Sequence, residues 1–377
     1  MMARAVAGST KAQRRGNYSA DCQEESAQVG QETIKSVNIQ AGLYPLLVFI
    51  LAMSSTETTT VKSSCYCGKN TFDLIFPTLS LPIGTDLCHC DACQRVSGML
   101  FTNYVEIPHN LIADPENPPP NLKLYRSSAE VKRYFCSTCG AHIAFYGWDK
   151  WLVAIGNLER VDGVSKIEWH QFVEDTVDGG MTNCFQDGLP MWAGYKGDGA
   201  FKLAEASNEG KPVRELLTGR CHCGNLKMTI HRPSYADITE RDAGRCLGKD
   251  TRRWRATHCL CTSCRKTSGF TCTSWAFIPK QHIDMGLDTK LEAFNSSEGI
   301  ERRFCGTCGA TVFYECDRYP DCYDVALGLF ETDKRGLWEF LNDWFEFKQW
   351  DTIKYTEDAV DTMFKERLLT GLKRLAE

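Results

Sequence analysis

Apolar residues along most of the chain come in short runs broken by Gly, Pro, Asn or Asp, a pattern that predicts strands. Residues 71–76, 101–107, 131–135, 142–146 and 151–156 are such runs, rich in β-branched and aromatic side chains. Similar runs return at 271–278, 301–304, 311–315 and 323–327. The Pro118-Pro119-Pro120 stretch belongs to a loop. A helical period is confined to the C-terminal end, where Ala359, Met363, Phe364, Leu368, Leu372 and Leu375 recur mostly every three or four positions. The first 60 or so residues carry no sustained period and are dominated by Ser, Thr, Gln, Glu and Ala, so residues 1–63 are expected to be disordered. Within them the apolar run 43–53 contains Pro45 and is too short for a bilayer span. Met53 precedes a polar Ser/Thr tract that leads directly into the first cysteine pair, as a natural start would. Translation from Met53 is one expectation, a dispensable tail the other.

Beyond Met53 the chain repeats itself. The first copy carries Cys65-Tyr66-Cys67-Gly68, then Cys88-His89-Cys90-Asp91-Ala92-Cys93, then Cys136-Ser137-Thr138-Cys139-Gly140. The second carries Cys221-His222-Cys223-Gly224, then Cys259-Leu260-Cys261-Thr262-Ser263-Cys264, then Cys305-Gly306-Thr307-Cys308-Gly309. The offsets are 156, 171 and 169 residues, so the order is kept and an insertion precedes Cys259. The reading is mainly β: two tandem domains at 64–200 and 218–356, a linker at 201–217, and a C-terminal amphipathic helix at 357–377.

Composition narrows the class. With 43% hydrophobic and 24% charged residues the chain has material for an ordinary core, and its formal charge of −5 offers no basic excess for a phosphate backbone. No nucleic acid and no membrane are expected as partners, and the oligomeric state is not readable. Twenty cysteines suit a secreted disulfide scaffold or an intracellular metal protein. Tight C-x-C and C-x-x-C pairs favour reduced thiolates on zinc, and residues 1–30 lack a signal peptide's apolar region. Cytoplasm, or nucleus, is the expected compartment.

Seven cysteines per copy cannot close two four-thiolate sites. Joining the distant C-x-C and C-x-x-C pairs would tie the two ends of a β domain together. The central C-x-C-x-x-C would hold a metal on three thiolates and leave its fourth position open, the usual arrangement of a catalytic zinc.

These residues resemble a known family, the glutathione-dependent formaldehyde-activating enzymes and the related centromere protein V-type domains. The resemblance rests on G-x-C-x-C-G, complete at Gly219–Gly224 and lacking its first Gly before Cys65. It extends through the loops Cys93-Gln94-Arg95-Val96-Ser97-Gly98 and Cys264-Arg265-Lys266-Thr267-Ser268-Gly269, and through the aromatic-Cys-x-x-Cys-Gly hairpins at 135–140 and 304–309. It implies a β-tent fold in each copy and about two zinc ions per domain. Structural zinc would fall on Cys65, Cys67, Cys136 and Cys139, and on Cys221, Cys223, Cys305 and Cys308. Substrate-side, catalytic zinc would fall on Cys88, Cys90 and Cys93, and on Cys259, Cys261 and Cys264. The implied activity is that of a carbon–sulfur lyase forming S-(hydroxymethyl)glutathione, with glutathione and an aldehyde as small-molecule partners. Gly156-Asn157-Leu158 and the stretch from His170 to Gly180 fit the family's later half, whereas the second copy has Gly328-Leu329-Phe330 and no histidine near Trp338 to Trp344.

Three thiolates on a zinc dication leave a formal charge of −1, and an incoming thiol would bind as its thiolate. Arg95, Arg265 and Lys266 are expected either to greet the carboxylates of glutathione or only to balance the thiolates. The basic insertion (Arg241, Arg245, Lys249, Arg252, Arg253, Arg255) reads as a solvated loop rather than an anion-attracting flap. His89 and His222 are expected beside, not on, the metals; His170 reads as a structural histidine before a proton shuttle. Cys22, Cys184, Cys246, Cys272, Cys316 and Cys322 are expected to be free thiols, with a minor chance of pairing between Cys316 and Cys322. Trp148, Trp151, Trp192, Trp275 and Trp344 are expected in the core. Two rival functions stand beside the lyase: a zinc-stapled binding or scaffold module, and another thiol-dependent step in secondary metabolism.

Overall fold

The short β-branched runs pair into the same arrangement twice, in a computed structural model that describes residues 57–202, 214–234, 238–287, 289–332, 336–347 and 358–376. The first copy holds β1 (Thr58–Ser64), β2 (Thr71–Pro77), β3 (Ile83–Cys88), β4 (Tyr104–Ile107), β5 (Leu122–Arg126), β6 (Lys132–Cys136), β7 (His142–Gly147), β8 (Lys150–Ala154) and β9 (Ser165–Gln171). β1 and β2 form an antiparallel pair, β3 and β9 a parallel pair, and the rest a sheet ordered β4-β8-β7-β6-β5. The second copy holds β10 (Leu216–Arg220), β11 (Lys227–His231), β12 (Trp254–Cys259), β13 (Thr273–Pro279), β14 (Ile283–Met285), β15 (Leu291–Ser297), β16 (Ile300–Cys305), β17 (Thr311–Cys316), β18 (Cys322–Ala326) and β19 (Phe345–Phe347). There β13-β18-β17-β16-β15 repeats the five-stranded order, and the parallel pair β12-β19 joins its edge to give seven strands. In the first copy the equivalent junction is the single bridge between Cys88 and Thr102.

The copies are packed into one unit spanning residues 55–377, and their contacts are reciprocal. Tyr66 N–H donates to the Lys266 carbonyl and His222 N–H to that of Arg95, each at 3.1 Å. Gly156 N–H donates to Gly269 and Gly328 N–H to Gly98, each at 2.9 Å. These last approaches demand glycine: a Cβ on Gly156 would lie 2.4 Å from Phe270 N, and one on Gly328 2.1 Å from the Met99 oxygen.

Several expectations change. The polar N-terminal segment does not stay irregular to residue 63, because Thr58–Ser64 pairs along its whole length with β2 and buries Val61. Residues 1–56, including Met53 and Cys22, lie outside the described residues, as do most of the expected linker (203–213) and 348–357. Both cysteine-rich loops continue into helices, Asp91–Ser97 and Thr262–Ser268. The insertion folds a helix, Glu240–Cys246, and Leu337–Trp344 forms another. The C-terminal helix runs Thr362–Ala376 and buries Phe364, Leu368 and Leu372, with Phe364 against Phe101 and Phe185 of the first copy. Trp151, Trp275 and Trp344 are buried, but Trp148 is 45% exposed at the β7–β8 turn, where its positive φ of 52° turns the chain away from the core.

Candidate metal centres

Four groups of cysteines converge among the described residues, and they are those the spacing singled out. Cys65, Cys67, Cys136 and Cys139 form one, and Cys221, Cys223, Cys305 and Cys308 its counterpart. Cys88, Cys90 and Cys93 form a third, and Cys259, Cys261 and Cys264 the fourth. Within each group the sulfurs lie within 4.8 Å of one another. Measured pairs include Cys67–Cys136 at 3.5 Å, Cys221–Cys305 at 3.8 Å, Cys88–Cys90 at 3.5 Å and Cys88–Cys93 at 3.7 Å. A disulfide needs about 2.05 Å, whereas four thiolates about 2.3 Å from one ion stand about 3.8 Å from each other. All these cysteines are free, and their spacing fits a tetrahedral thiophilic ion such as zinc.

The closed clusters are built from a turn and a hairpin. Cys65 and Cys67 sit between β1 and β2, while Cys136 ends β6 and Cys139 lies in the turn to β7, so one ion would pin two separate sheets. The open clusters are built on helix starts. Cys90 and Cys261 occupy the N-cap positions, where Sγ accepts the N–H of Cys93 or Cys264 at 3.3 Å. Gly98 and Gly269, at φ of 82° and 92°, end each helix in the left-handed conformation.

A buried arginine faces each open cluster. Arg133 Nη2 donates to Cys93 Sγ at 3.4 Å, and its Nη1 to the Tyr104 hydroxyl at 3.1 Å. Arg302 repeats the contact on Cys264 Sγ at 3.6 Å and adds Ser263 Oγ at 2.9 Å. Hydrogen bonds from the other two cysteines of each cluster, together with these guanidiniums, pull Cys93 and Cys264 well below the ordinary thiol range against the cost of burial. One thiolate is thus favoured at each open cluster.

Two of the expected cations, Arg95 and Arg265, point to the other copy. Arg95 Nη1 donates to the Gly328 and Phe330 carbonyls, and Arg265 Nη1 to those of Gly156 and Leu158 at 2.6 and 3.0 Å. Both are buried at the contact between the copies, and it is these carbonyls, not the sulfurs of their own loops, that take their hydrogen bonds among the described residues. In the insertion, Arg245 pairs with Asp324, Arg253 with Asp250, and Arg255 donates to the Gly244 carbonyl, so these cations brace a folded segment. Arg133 and Arg302 carried no signal in the sequence beyond their matching places three residues before Cys136 and Cys305.

Among the described residues, the first open cluster has a neighbour that the second lacks. His89 Nε2 lies 2.9 Å from His170 Nδ1, and His170 Nε2 lies 3.3 Å from Asp187 Oδ1. Arg367 of the C-terminal helix stands 3.8 Å from Asp187. Burial opposes ionisation of Asp187, but His170 and Arg367 hold its carboxyl below the usual range. Burial, and then His170, keep His89 neutral, well below its ordinary pKa. A carboxylate only accepts, so His170 Nε2 carries the proton that it shares with Asp187. The bond between His89 Nε2 and His170 Nδ1 occupies one nitrogen of each ring, its donor set by the tautomer, and leaves His89 Nδ1 outside this hydrogen-bonded chain. That atom is buried without a hydrogen-bond partner. In the second copy the position between the ligands is Leu260. His222, between ligands of a closed cluster, is half-buried and bonded to the Tyr125 hydroxyl at 2.6 Å.

A family profile described as "Glutathione-dependent formaldehyde-activating enzyme" matches residues 60–175 and 243–345, more than half of the chain. A crystal structure of a Rhodobacter sphaeroides protein is similar over 35% of this chain and 99% of its own, at 16% identity and a TM-score of 0.24. No curated protein matches the chain.

Proposed function

The chain belongs to the glutathione-dependent formaldehyde-activating enzyme family, and from that premise we propose a zinc-dependent carbon–sulfur lyase acting on an adduct of glutathione and an aldehyde. S-(hydroxymethyl)glutathione, formed from formaldehyde, is the expected case. Each copy would hold two zinc ions, one on its four-cysteine cluster and one on its three-cysteine cluster. The observation that carries this reading is the contrast between them: three sulfurs converge at each open cluster, and no fourth joins them among the described residues.

When bound by Cys88, Cys90 and Cys93, zinc supplies an open coordination position that takes a thiol as its thiolate. The surrounding residues do the rest. Arg133 offsets the negative charge at Cys93. The N-cap geometry holds Cys90 and Cys93 in place through their shared N–H···S bond. His89 Nδ1, buried and outside the His89–His170 bond, is placed to hydrogen-bond a hydroxyl or thiol at the cluster, with His170 and Asp187 orienting the ring. Because Leu260 has no such atom, the first copy is the competent one and the second serves mainly as its structural partner. The free state of all described cysteines suits a reducing compartment, cytosol or nucleus; among the described residues no helix is long and apolar enough to cross a membrane.

The test compares Cys90→Ala with Cys261→Ala in zinc-loaded protein, following adduct formation from glutathione and formaldehyde by NMR. Cys90→Ala is expected to stay folded, lose one zinc and fall to the uncatalysed rate, while Cys261→Ala keeps most of the turnover. Unfolding of both variants, or turnover equal to wild type in both, replaces the lyase with a zinc-stapled scaffold module.

A further inference from the structure

Outside the four metal clusters, one more pair of sulfurs is in contact among the described residues. Cys246 Sγ and Cys322 Sγ stand 3.4 Å apart, and both side chains are buried. This is not the pairing of Cys316 with Cys322 that the sequence suggested, because the inserted helix brings Cys246 in first. Neither cysteine belongs to a cluster that could hold a metal, so the contact is between two sulfurs alone. Its place in the fold is specific. Cys246 ends the helix Glu240–Cys246 of the insertion that only the second copy carries, and Cys322 begins β18. The same two elements are joined by the ion pair of Arg245, next to Cys246, with the buried Asp324, two residues past Cys322. Arg245 also lies over the rings of Phe277 and Tyr319, at 4.6 and 4.2 Å from their centroids. The helix is thus already held where the two sulfurs meet, and little motion separates contact from a covalent bond.

We propose that Cys246 and Cys322 form a covalent cross-linking site, a dithiol that a hydroperoxide oxidises to a cystine fastening the inserted helix to β18. In the first step one sulfur attacks the peroxide, an S–O bond forms, the O–O bond breaks, and one water leaves when the oxidant is hydrogen peroxide. In the second step the other sulfur displaces the sulfenic oxygen, forming S–S and releasing a second water. The two sulfurs lose two electrons, the peroxide gains them, and both thiol protons end in water. A hydroperoxide suits the site because a small oxidant can reach a buried pair that a bulky disulfide cannot. The bond would close a loop across 76 residues of chain and so restrain the unfolded state.

The experiment treats the zinc-loaded full chain with graded hydrogen peroxide, traps remaining thiols by alkylation in acid, and maps peptides by mass spectrometry. The expected product is a species two hydrogens lighter, with Cys246 and Cys322 peptides joined and released by dithiothreitol. Cys246→Ser and Cys322→Ser should each abolish the joined peptide, and a chromophoric chelator should detect no zinc release at the dose that forms it. Alkylation of both cysteines as free thiols at doses that already oxidise the metal clusters overturns the proposal. So does sulfinic or sulfonic acid at either position without the cross-link.

Discussion

His142 illustrates the residue scale. Its Nε2 donates to the Val96 carbonyl at 2.9 Å, tying β7 to the helix that carries the first open cluster. Burial, and then Arg133, bring its pKa down to about 4, against about 6.5 in an unfolded chain. Between these values the unfolded chain binds the extra proton. Its contribution is therefore complete above about pH 6.5 and is lost as the pH falls toward 4, at up to about 1.4 kcal/mol per pH unit. Urea unfolding of the zinc-loaded protein at pH 7 and pH 5 should show a smaller acid loss in His142→Gln than in wild type; equal losses would contradict this. At this scale the ligand cysteines were legible, because metal chemistry needs sulfur at short and regular spacing. Arg133 and Arg302 were not, since which strand residue faces a cluster depends on a register that local sequence does not specify. The hydrogen-bond partners of Arg95 and Arg265 were not legible for the same reason: they belong to the other copy.

Among the elements, the nine strands expected from β-branched runs formed close to their places, ten further strands were not foreseen, and the two helices bearing the open clusters left no apolar period. Each is seven residues long and owes its start to a cysteine N-cap and its end to a glycine. The glycines give a graded prediction. Gly68 and Gly98 both have positive φ, 74° and 82°, but an added Cβ meets nothing within 4 Å at Gly68 and lies 2.3 Å from the Thr311 oxygen at Gly98. Gly68→Ala should cost about 1 kcal/mol from backbone strain alone. Gly98→Ala should cost about 2–4 kcal/mol, because it also forces apart the packed contact with the second copy. Denaturant midpoints of the two variants provide the measurement, and equal shifts would mean that this contact yields freely.

At the level of the whole molecule, the closed clusters lie against the contact between copies. The Tyr66 hydroxyl, next to Cys65 and Cys67, donates to the Ser296 carbonyl at 3.0 Å. Lys123 Nζ of the first copy donates to the carbonyl of Gly306, between Cys305 and Cys308, at 3.2 Å. Metal binding at such a cluster contributes folding free energy, so a strong chelator should remove the ions of the open clusters first. Loss of the closed-cluster ions should then collapse both copies in one cooperative transition, followed by far-UV circular dichroism with zinc release; two separate unfolding steps would show that the copies are independent. The sequence by itself determined the duplication, the mainly β character and the division of fourteen cysteines into four clusters, because periodicity and ligand spacing are local properties. Only the tertiary structure decided that the copies form one unit, that Arg133 and Arg302 face the thiolates, and that, among the described residues, a His–His–Asp chain adjoins the first open cluster alone. Those relations join residues dozens to hundreds of positions apart, and they are set by how sheets pack rather than by any short stretch of chain.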